Sequence, residues 1–230
     1  MIIAMFLAHL VGDFILQWDR LAQWKSRELQ GVLVHGLIVT AVTWLFALPF
    51  APGWWQGILF IGIAHTTIDA AQWYYTLPGT PLLRFLFDQF LHLLVIIIAL
   101  AAGGFLNVGA PPNAIWPGSE QPYILVYLLG YAFLTMPAWV LLKFVGYALL
   151  KKTGPSFLDG SSKYVGIMER LLAITFVLMG QFLLIPLVAM PRLFLEWRQF
   201  SNRDRRTLYL FELLAGTSLA ILVGLILRQY

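Results

Sequence analysis

The sequence contains no cysteine and few charged residues. Without cysteine the chain can form neither disulfide bonds nor thiolate metal sites. Only 11% of its residues are Asp, Glu, Lys or Arg, whereas about 25% is typical of soluble domains. A water-soluble globular domain is therefore excluded, because so few charges cannot cover its surface.

Apolar residues are what the chain has in abundance. The 230 residues are 60% hydrophobic and the mean hydropathy is +0.79. Several apolar stretches reach the ~20 residues that span a bilayer. The sequence predicts an all-α membrane protein with about seven transmembrane helices, at approximately 1–18, 29–50, 54–75, 82–106, 122–150, 164–190 and 207–228. The first stretch has neither the basic start nor the cleavage site of a signal peptide, so we expect a retained span.

Composition divides the chain into three predicted parts. Residues 1–106 form a four-helix bundle, residues 107–121 a non-cytoplasmic loop without Lys or Arg, and residues 122–230 a three-span helical half with basic loops. The net charge of +4 is explained by loop orientation and anionic lipid. No basic patch is large enough to indicate nucleic acid as a partner; the expected partner is the lipid bilayer, and the oligomeric state is left open.

Basic loop residues predict the orientation of the first four spans. Arg20, Lys25, Arg27 and Arg84 share one side of the predicted membrane, and the opposite loops have no basic residue. The positive-inside rule places that side in the cytoplasm. Under strict alternation the basic stretch 192–206 would lie outside, so the orientation of the last two spans is left open.

The first half also holds every histidine of the chain. Three of the four have an aspartate four residues away, and the set consists of His9, Asp13, His35, His65, Asp69, Asp88 and His92. Residues four apart lie on the same face of a helix. One ionisable group inside a membrane helix costs at least ~2.5 kcal/mol, so seven together indicate a function.

The depths of these residues predict one shared site. Counted from the cytoplasmic end of each span, the three carboxylates lie roughly 8–9 Å deep and three of the histidines roughly 14–15 Å deep. A faint repeat matches His9 and Asp13 with His65 and Asp69, and His35 falls near the position matching His92. One interpretation is a duplicated helical hairpin with the site at the interface of the repeats.

Imidazole and carboxylate together favour a divalent transition metal, and we expect Zn, Mn, Fe or Ni as one or two ions. All seven residues are candidate ligands. Asp88, with Asp13 as the second candidate, is the predicted catalytic base. Gln17, Gln72 and Gln89 lie a helical turn or less from the ligands, and we expect them to orient the ligands through hydrogen bonds.

The same residues carry a resemblance to a known family. The segment His9–Gln17, the isolated His35, His65 with Asp69, and the segment Asp88–His92 resemble a bacterial membrane family known as a domain of unknown function (family 3307). The segments Gly166–Arg170 and Gly216–Thr217 are similar to its C-terminal half more loosely. The resemblance implies a bacterial inner-membrane protein and no established activity.

Three functions remain compatible with these observations. The leading hypothesis is a membrane-embedded, metal-dependent hydrolase near the cytoplasmic leaflet, acting on a lipid or lipid-linked substrate. The first alternative is an ion or proton-coupled transporter that uses the same polar cluster. The second is a structural subunit of a membrane complex, in which each His–Asp pair holds helices together.

Overall fold

The computed structural model describes residues 1–75, 78–106, 123–151, 153–155, 157, 160–188, 190 and 203–230. Every regular element within these ranges is helical. The predicted loop 107–121 and residues 192–202 of the basic stretch lie outside the described residues. The all-α prediction is therefore confirmed for the described part of the chain.

Nine α-helices and two short turns make up most of the described chain, and residues 185–188 are helical as well. They are α1 (Ile2–Leu10), a π-helical turn (Val11–Ile15), α2 (Asp19–Lys25), α3 (Leu29–Ala47), α4 (Trp55–Tyr74), α5 (Pro81–Ala102), α6 (Tyr123–Leu134), α7 (Met136–Leu150), α8 (Gly160–Leu178), a 3₁₀ turn (Phe182–Leu184) and α9 (Arg203–Leu227). Two compact units result, Met1–Gly79 with Leu83–Leu129, and Thr80–Leu82 with Gly130–Tyr230.

Three of these helices are long and apolar enough to cross a membrane: α3, α5 and the part of α9 from Arg206 to Leu227. The count rises to five if α1 with α2, and α6 with α7, are each one broken span. The seven predicted spans are thus not confirmed within the described residues. Helix α4 is long but carries polar residues such as His65 and Asp69, and α8 carries Lys163, Glu169 and Arg170.

The chain bends by 88° between the helical segment Ile2–Ile15 and α2. Trp18 has an extended backbone (φ −67°, ψ 161°), so the helix stops before it. Asp19 then starts α2, where a carboxylate is stabilised by the positive end of the helix dipole. With only seven residues, α2 is too short to span a bilayer at 1.5 Å per residue.

Helices α3 and α4 cross at two glycine–threonine contacts. A Cβ atom on Gly36 would lie 2.0 Å from Thr66 Oγ1, and one on Gly62 would lie 2.1 Å from Thr40 Oγ1. Each threonine hydroxyl donates to the carbonyl of the glycine four residues earlier in its own helix, at 2.7 Å for Thr40 and 2.8 Å for Thr66. Small residues at such crossings let two backbones approach closely.

Apolar packing in the first unit is concentrated at one end of the bundle. The start of α1, the end of α3, the start of α4 and the end of α5 form a core of Ile2, Ala4, Met5, Ala47, Ile58, Ile61, Ile96, Ala99 and Leu100. The polar residues of the same helices follow at the other end. This division leaves the site-forming ends of the helices free for polar contacts.

The second unit pairs its buried charges with nearby partners. Lys143 Nζ on α7 lies 2.8 Å from Glu212 Oε1 on α9. At the break between α6 and α7, the guanidinium of Arg170 donates to the carbonyl oxygens of Leu134 (2.8 Å) and Thr135 (3.3 Å). Thr135 O also accepts a hydrogen bond from Trp139 N at 3.2 Å, so the Arg170 guanidinium adds hydrogen bonds at the break, where helix ends leave carbonyls with few partners.

Replacing Gly36 by alanine should destabilise the first unit by about 1–3 kcal/mol, because overpacking a close contact costs that much. The change would otherwise favour the helix by ~1 kcal/mol, so the sign of the effect tests the crossing. Reversible SDS unfolding followed by circular dichroism measures it. Gly53→Ala is the matched control, since no atom lies within 4 Å of its added Cβ.

Adding Thr66→Ala to Gly36→Ala should recover most of the lost stability, because it removes the hydroxyl that the new methyl group meets. A double variant no more stable than Gly36→Ala alone would show that this contact does not hold the helices together.

Candidate metal centre

Five buried side chains meet where α3 and α4 cross beside the π-helical turn and α5. They are Asp13 from the turn, His35 from α3, His65 and Asp69 from α4, and His92 from α5, each at most 6% exposed. The turn can approach α3 because Gly12 has no side chain; a Cβ there would lie 3.3 Å from Val39. A π turn is often found at functional sites, and here it carries the aspartate that reaches His35.

The crossing of α3 and α4 brings two imidazole nitrogens face to face. His35 directly precedes Gly36 on α3, and His65 directly precedes Thr66 on α4. Their Nε2 atoms are 3.2 Å apart, and His35 Nε2 lies 3.0 Å from Asp13 Oδ1. Two nitrogen lone pairs at this distance repel unless a proton or a cation lies between them.

A second group shares His65 with the first. His65 Nε2 lies 3.4 Å from Asp69 Oδ2, and His92 Nε2 lies 3.8 Å from Asp69 Oδ1. His92 Nδ1 lies 2.9 Å from the Asp88 carbonyl oxygen and 3.2 Å from Asp88 Oδ1, so Nδ1 carries the proton. In the neutral ring Nε2 then carries the lone pair, and this nitrogen is buried without a hydrogen-bond partner.

The geometry of both groups suits a divalent metal. In Asp13–His35–His65 and in His65–Asp69–His92, one ligand atom from each residue lies within 4.8 Å of the others. Two ligands bound at 2.0–2.2 Å in tetrahedral geometry are about 3.3 Å apart, and the closest separations here are 3.0–3.4 Å. These buried Asp and His residues can therefore hold a metal ion.

Gln89 joins three of the predicted site residues. Its amide nitrogen donates to Asp13 Oδ2 at 3.2 Å and to Asp88 Oδ2 at 3.0 Å. Its amide oxygen therefore faces His9 Nε2, 3.2 Å away, and accepts a hydrogen bond from it. This network gives Gln89 the position expected for a residue that orients ligands.

His9 is placed differently from the other three histidines. Its Nε2 is used by Gln89, and its ring stacks on His92 with centroids 5.8 Å apart. It belongs to neither of the two groups able to hold a metal. The geometry therefore gives His9 a supporting position behind the ligand atoms, although the sequence predicts it as a ligand.

Gln72 and Gln17 contact different parts of the cluster. The amide nitrogen of Gln72 donates to Asp88 Oδ1, as the sequence predicts for a residue that orients a carboxylate. Gln17 Oε1 accepts from Lys25 Nζ at 3.2 Å, so its contact is with a lysine.

Lys25 is the site residue that sequence reasoning missed. Its Nζ lies 2.8 Å from Asp69 Oδ2 and 4.0 Å from Asp13 Oδ1. In the sequence it reads only as one of the basic loop residues that set orientation. No periodicity links it to the aspartates, because the 88° bend before α2 is what returns it to the cluster.

Cavities adjoin the cluster on two sides. One of about 310 Å³ is lined by Gln17, Ala22, Lys25, Ser26, Asp69, Gln72, Trp73 and Asp88. The other, enclosed and of about 10 Å³, touches His9, His65 and His92 together with Thr43 and apolar side chains. The first is within the size range of ligand pockets, and the second is close to the space of one water molecule.

Comparison with known proteins gives a family match over the N-terminal part of the chain. Residues 1–109 match the family described as Protein of unknown function (DUF3307). The resemblance found in the His and Asp motifs is confirmed over this range, which includes every residue of the cluster. The match ends before Gly166–Arg170 and Gly216–Thr217, where similarity to the family stays a prediction. No curated protein and no solved structure matches the chain.

Gln89→Leu should weaken metal binding by ~10–100-fold, the usual effect of removing a hydrogen bond that orients a ligand. The substitution leaves Asp13 and Asp88 without their shared amide donor. Competition with a chromophoric chelator measures the affinity in detergent. Gln56→Leu, an exposed position on α4, is the matched control, and equal affinities in the two variants would remove Gln89 from the centre.

Proposed function

We propose that this protein is a membrane-embedded, metal-dependent hydrolase whose centre is the His/Asp cluster of the first unit. The observation that carries the proposal is the pair of metal-capable groups that share His65 beside an open polar cavity. Structural His–Asp pairs would need neither the convergence of lone pairs nor access from a cavity. A divalent ion held there supplies Lewis acidity and an acidified water for attack on an ester or phosphoryl group.

The carboxylates are suited to different roles in such a reaction. Asp13 is buried at the convergence of nitrogen atoms, which suits a ligand. The Asp88 side chain is 18% exposed, lines the polar cavity and is held by hydrogen bonds from Gln72 and Gln89. A carboxylate oriented at the edge of a cavity can take a proton from an incoming water, so we assign the general base to Asp88.

The substrate we propose is a lipid or lipid-linked molecule. The cavity is large enough for a lipid headgroup and too small for an acyl or prenyl chain as well, so the chain would stay among the helices. Trp73 lines it, and Trp18, Trp24, Tyr74 and Tyr75 are all exposed nearby in sequence. Such aromatic side chains are typical of membrane interfaces. With the basic residues of the adjoining segments, this favours the cytoplasmic leaflet of a bacterial inner membrane.

A proton-coupled transporter is the second candidate, and one specific observation favours it. The enclosed cavity beside His9, His65 and His92 lies on the far side of the cluster from Lys25 and the polar cavity. A water molecule there would extend the chain of titratable groups toward Thr43 and the apolar core. Proton relays through membrane proteins use such chains of Asp, Glu and His.

Metal analysis of the purified protein tests the hydrolase proposal. We expect one or two transition-metal ions per chain in the wild type and loss of at least ~90% of them in His65→Ala, because His65 belongs to both groups and losing a ligand costs tenfold or more. Thr67→Ala is the matched control on the same helix, since this exposed hydroxyl bonds only to Ile63 O in its own helix.

Hydrolysis of lipid esters and lipid phosphates should fall in parallel with the metal content. A wild type that folds without metal, or a His65→Ala variant that keeps full metal occupancy, would refute the proposal. Proton flux in proteoliposomes from the metal-free protein would then support the transporter.

A further inference from the structure

His65 limits how many ions the cluster can hold with a full set of protein ligands. Both metal-capable groups use this histidine, and its Nε2 atom is the one that faces His35, Asp13 and Asp69. One imidazole nitrogen has one lone pair and can bind one ion. An ion in either group therefore leaves the other group with only two of its residues.

Lys25 already places a positive charge on the side of Asp69. Its Nζ contacts Asp69 Oδ2 at 2.8 Å, Gln17 Oε1 at 3.2 Å and lies 4.0 Å from Asp13 Oδ1. These oxygens are hard ligands of the kind that a second divalent ion would use. Because Lys25 Nζ already donates to Asp69 Oδ2 and Gln17 Oε1, a second divalent ion could bind these two oxygens only by displacing the ammonium.

The backbone holds Lys25 in this place. Helix α2 and the turn after it pack against the first turn of α3, where a Cβ on Gly31 would lie 2.5 Å from Lys25 N and 2.5 Å from the Trp24 carbonyl carbon. The turn is also held by a hydrogen bond from Trp24 Nε1 to Glu28 Oε2 at 2.9 Å. The packing of α2 thus fixes the backbone from which the Lys25 side chain extends to Asp69.

The charges of the cluster also favour a single ion. Asp13, Asp69 and Asp88 contribute three negative charges, and Lys25 contributes one positive charge. With neutral histidines, one divalent ion makes the total zero, whereas a second would leave two uncompensated positive charges. Uncompensated charge among apolar helices is costly.

We propose that Lys25 occupies the position of a second cation, so that the cluster is a mixed centre of one divalent ion and one ammonium. The ion is held by Asp13, His35 and His65, and the ammonium neutralises Asp69 at the edge of the polar cavity. This inference rests on the proposed metal binding and adds the number of ions, their place and the role of Lys25.

The test compares manganese binding in four forms of the full-length chain in detergent. Electron paramagnetic resonance distinguishes an isolated Mn²⁺ from an exchange-coupled pair, and elemental analysis gives the ions per chain. We expect one uncoupled ion in the wild type and in Lys25→Arg, and two coupled ions in Lys25→Met. Arg27→Met is the control, because it removes the same charge from an exposed position two residues away and should keep one ion.

The number of bound manganese ions and their coupling decide whether the mixed centre is correct. Two coupled ions in the wild type would overturn the mixed centre while leaving the metal-dependent hydrolase intact. A single ion in folded Lys25→Met would show that Lys25 does not exclude the second ion. If Lys25→Met does not fold, the spectrum of the wild type decides between one ion and two. A wild type that binds no ion would overturn the proposed function itself, and this inference with it.

Discussion

Three carboxylates placed among apolar helices are the constraint on which the first unit depends. A buried carboxylate without partners is costly, and the cost is lowered only by hydrogen bonds and cations at close range. Asp13, Asp69 and Asp88 therefore require donors from every helix around them, including α2. The bend that returns Lys25 to Asp69, the π-helical turn that carries Asp13 and the amide of Gln89 each meet this requirement.

The close crossing of α3 and α4 also helps to supply these carboxylates with donors. Donors can reach the carboxylates only if the helix backbones approach, and the glycine–threonine contacts allow that approach. The threonine hydroxyls bond to their own helices, so the crossing adds no unsatisfied polar group. Without these contacts His35 and His65 would lie too far apart for their Nε2 atoms to serve one ion.

Much of this site is predictable from local sequence. Spacing by four residues places His65 with Asp69 and Asp88 with His92 on shared helix faces, and the structure joins both pairs within 3.4 Å. Hydropathy and helical periodicity suffice for these predictions because they depend on one helix at a time.

What the sequence does not predict are the features that depend on two elements or on a break in one. The spacing of His9 and Asp13 is the same as that of His65 and Asp69, yet the π-helical turn directs Asp13 to His35 and leaves His9 to Gln89. Lys25 contacts Asp69 only because the chain bends before α2, and Lys143 pairs with Glu212 on another helix. Seven spans are predicted because the length of an apolar stretch counts a bent pair as a straight helix and also counts α4 and α8, whose polar residues leave them outside the three to five candidate spans of the described chain.

The two units meet the cost of buried charge in different ways, and the difference bears on function. In the second unit Lys143 pairs with Glu212, and Arg170 donates to the Leu134 carbonyl at a helix break. In the first unit three carboxylates and the converging ring nitrogens of His35, His65 and His92 lie around one ammonium, that of Lys25. Such a network can accommodate a further cation, as the proposed metal binding requires.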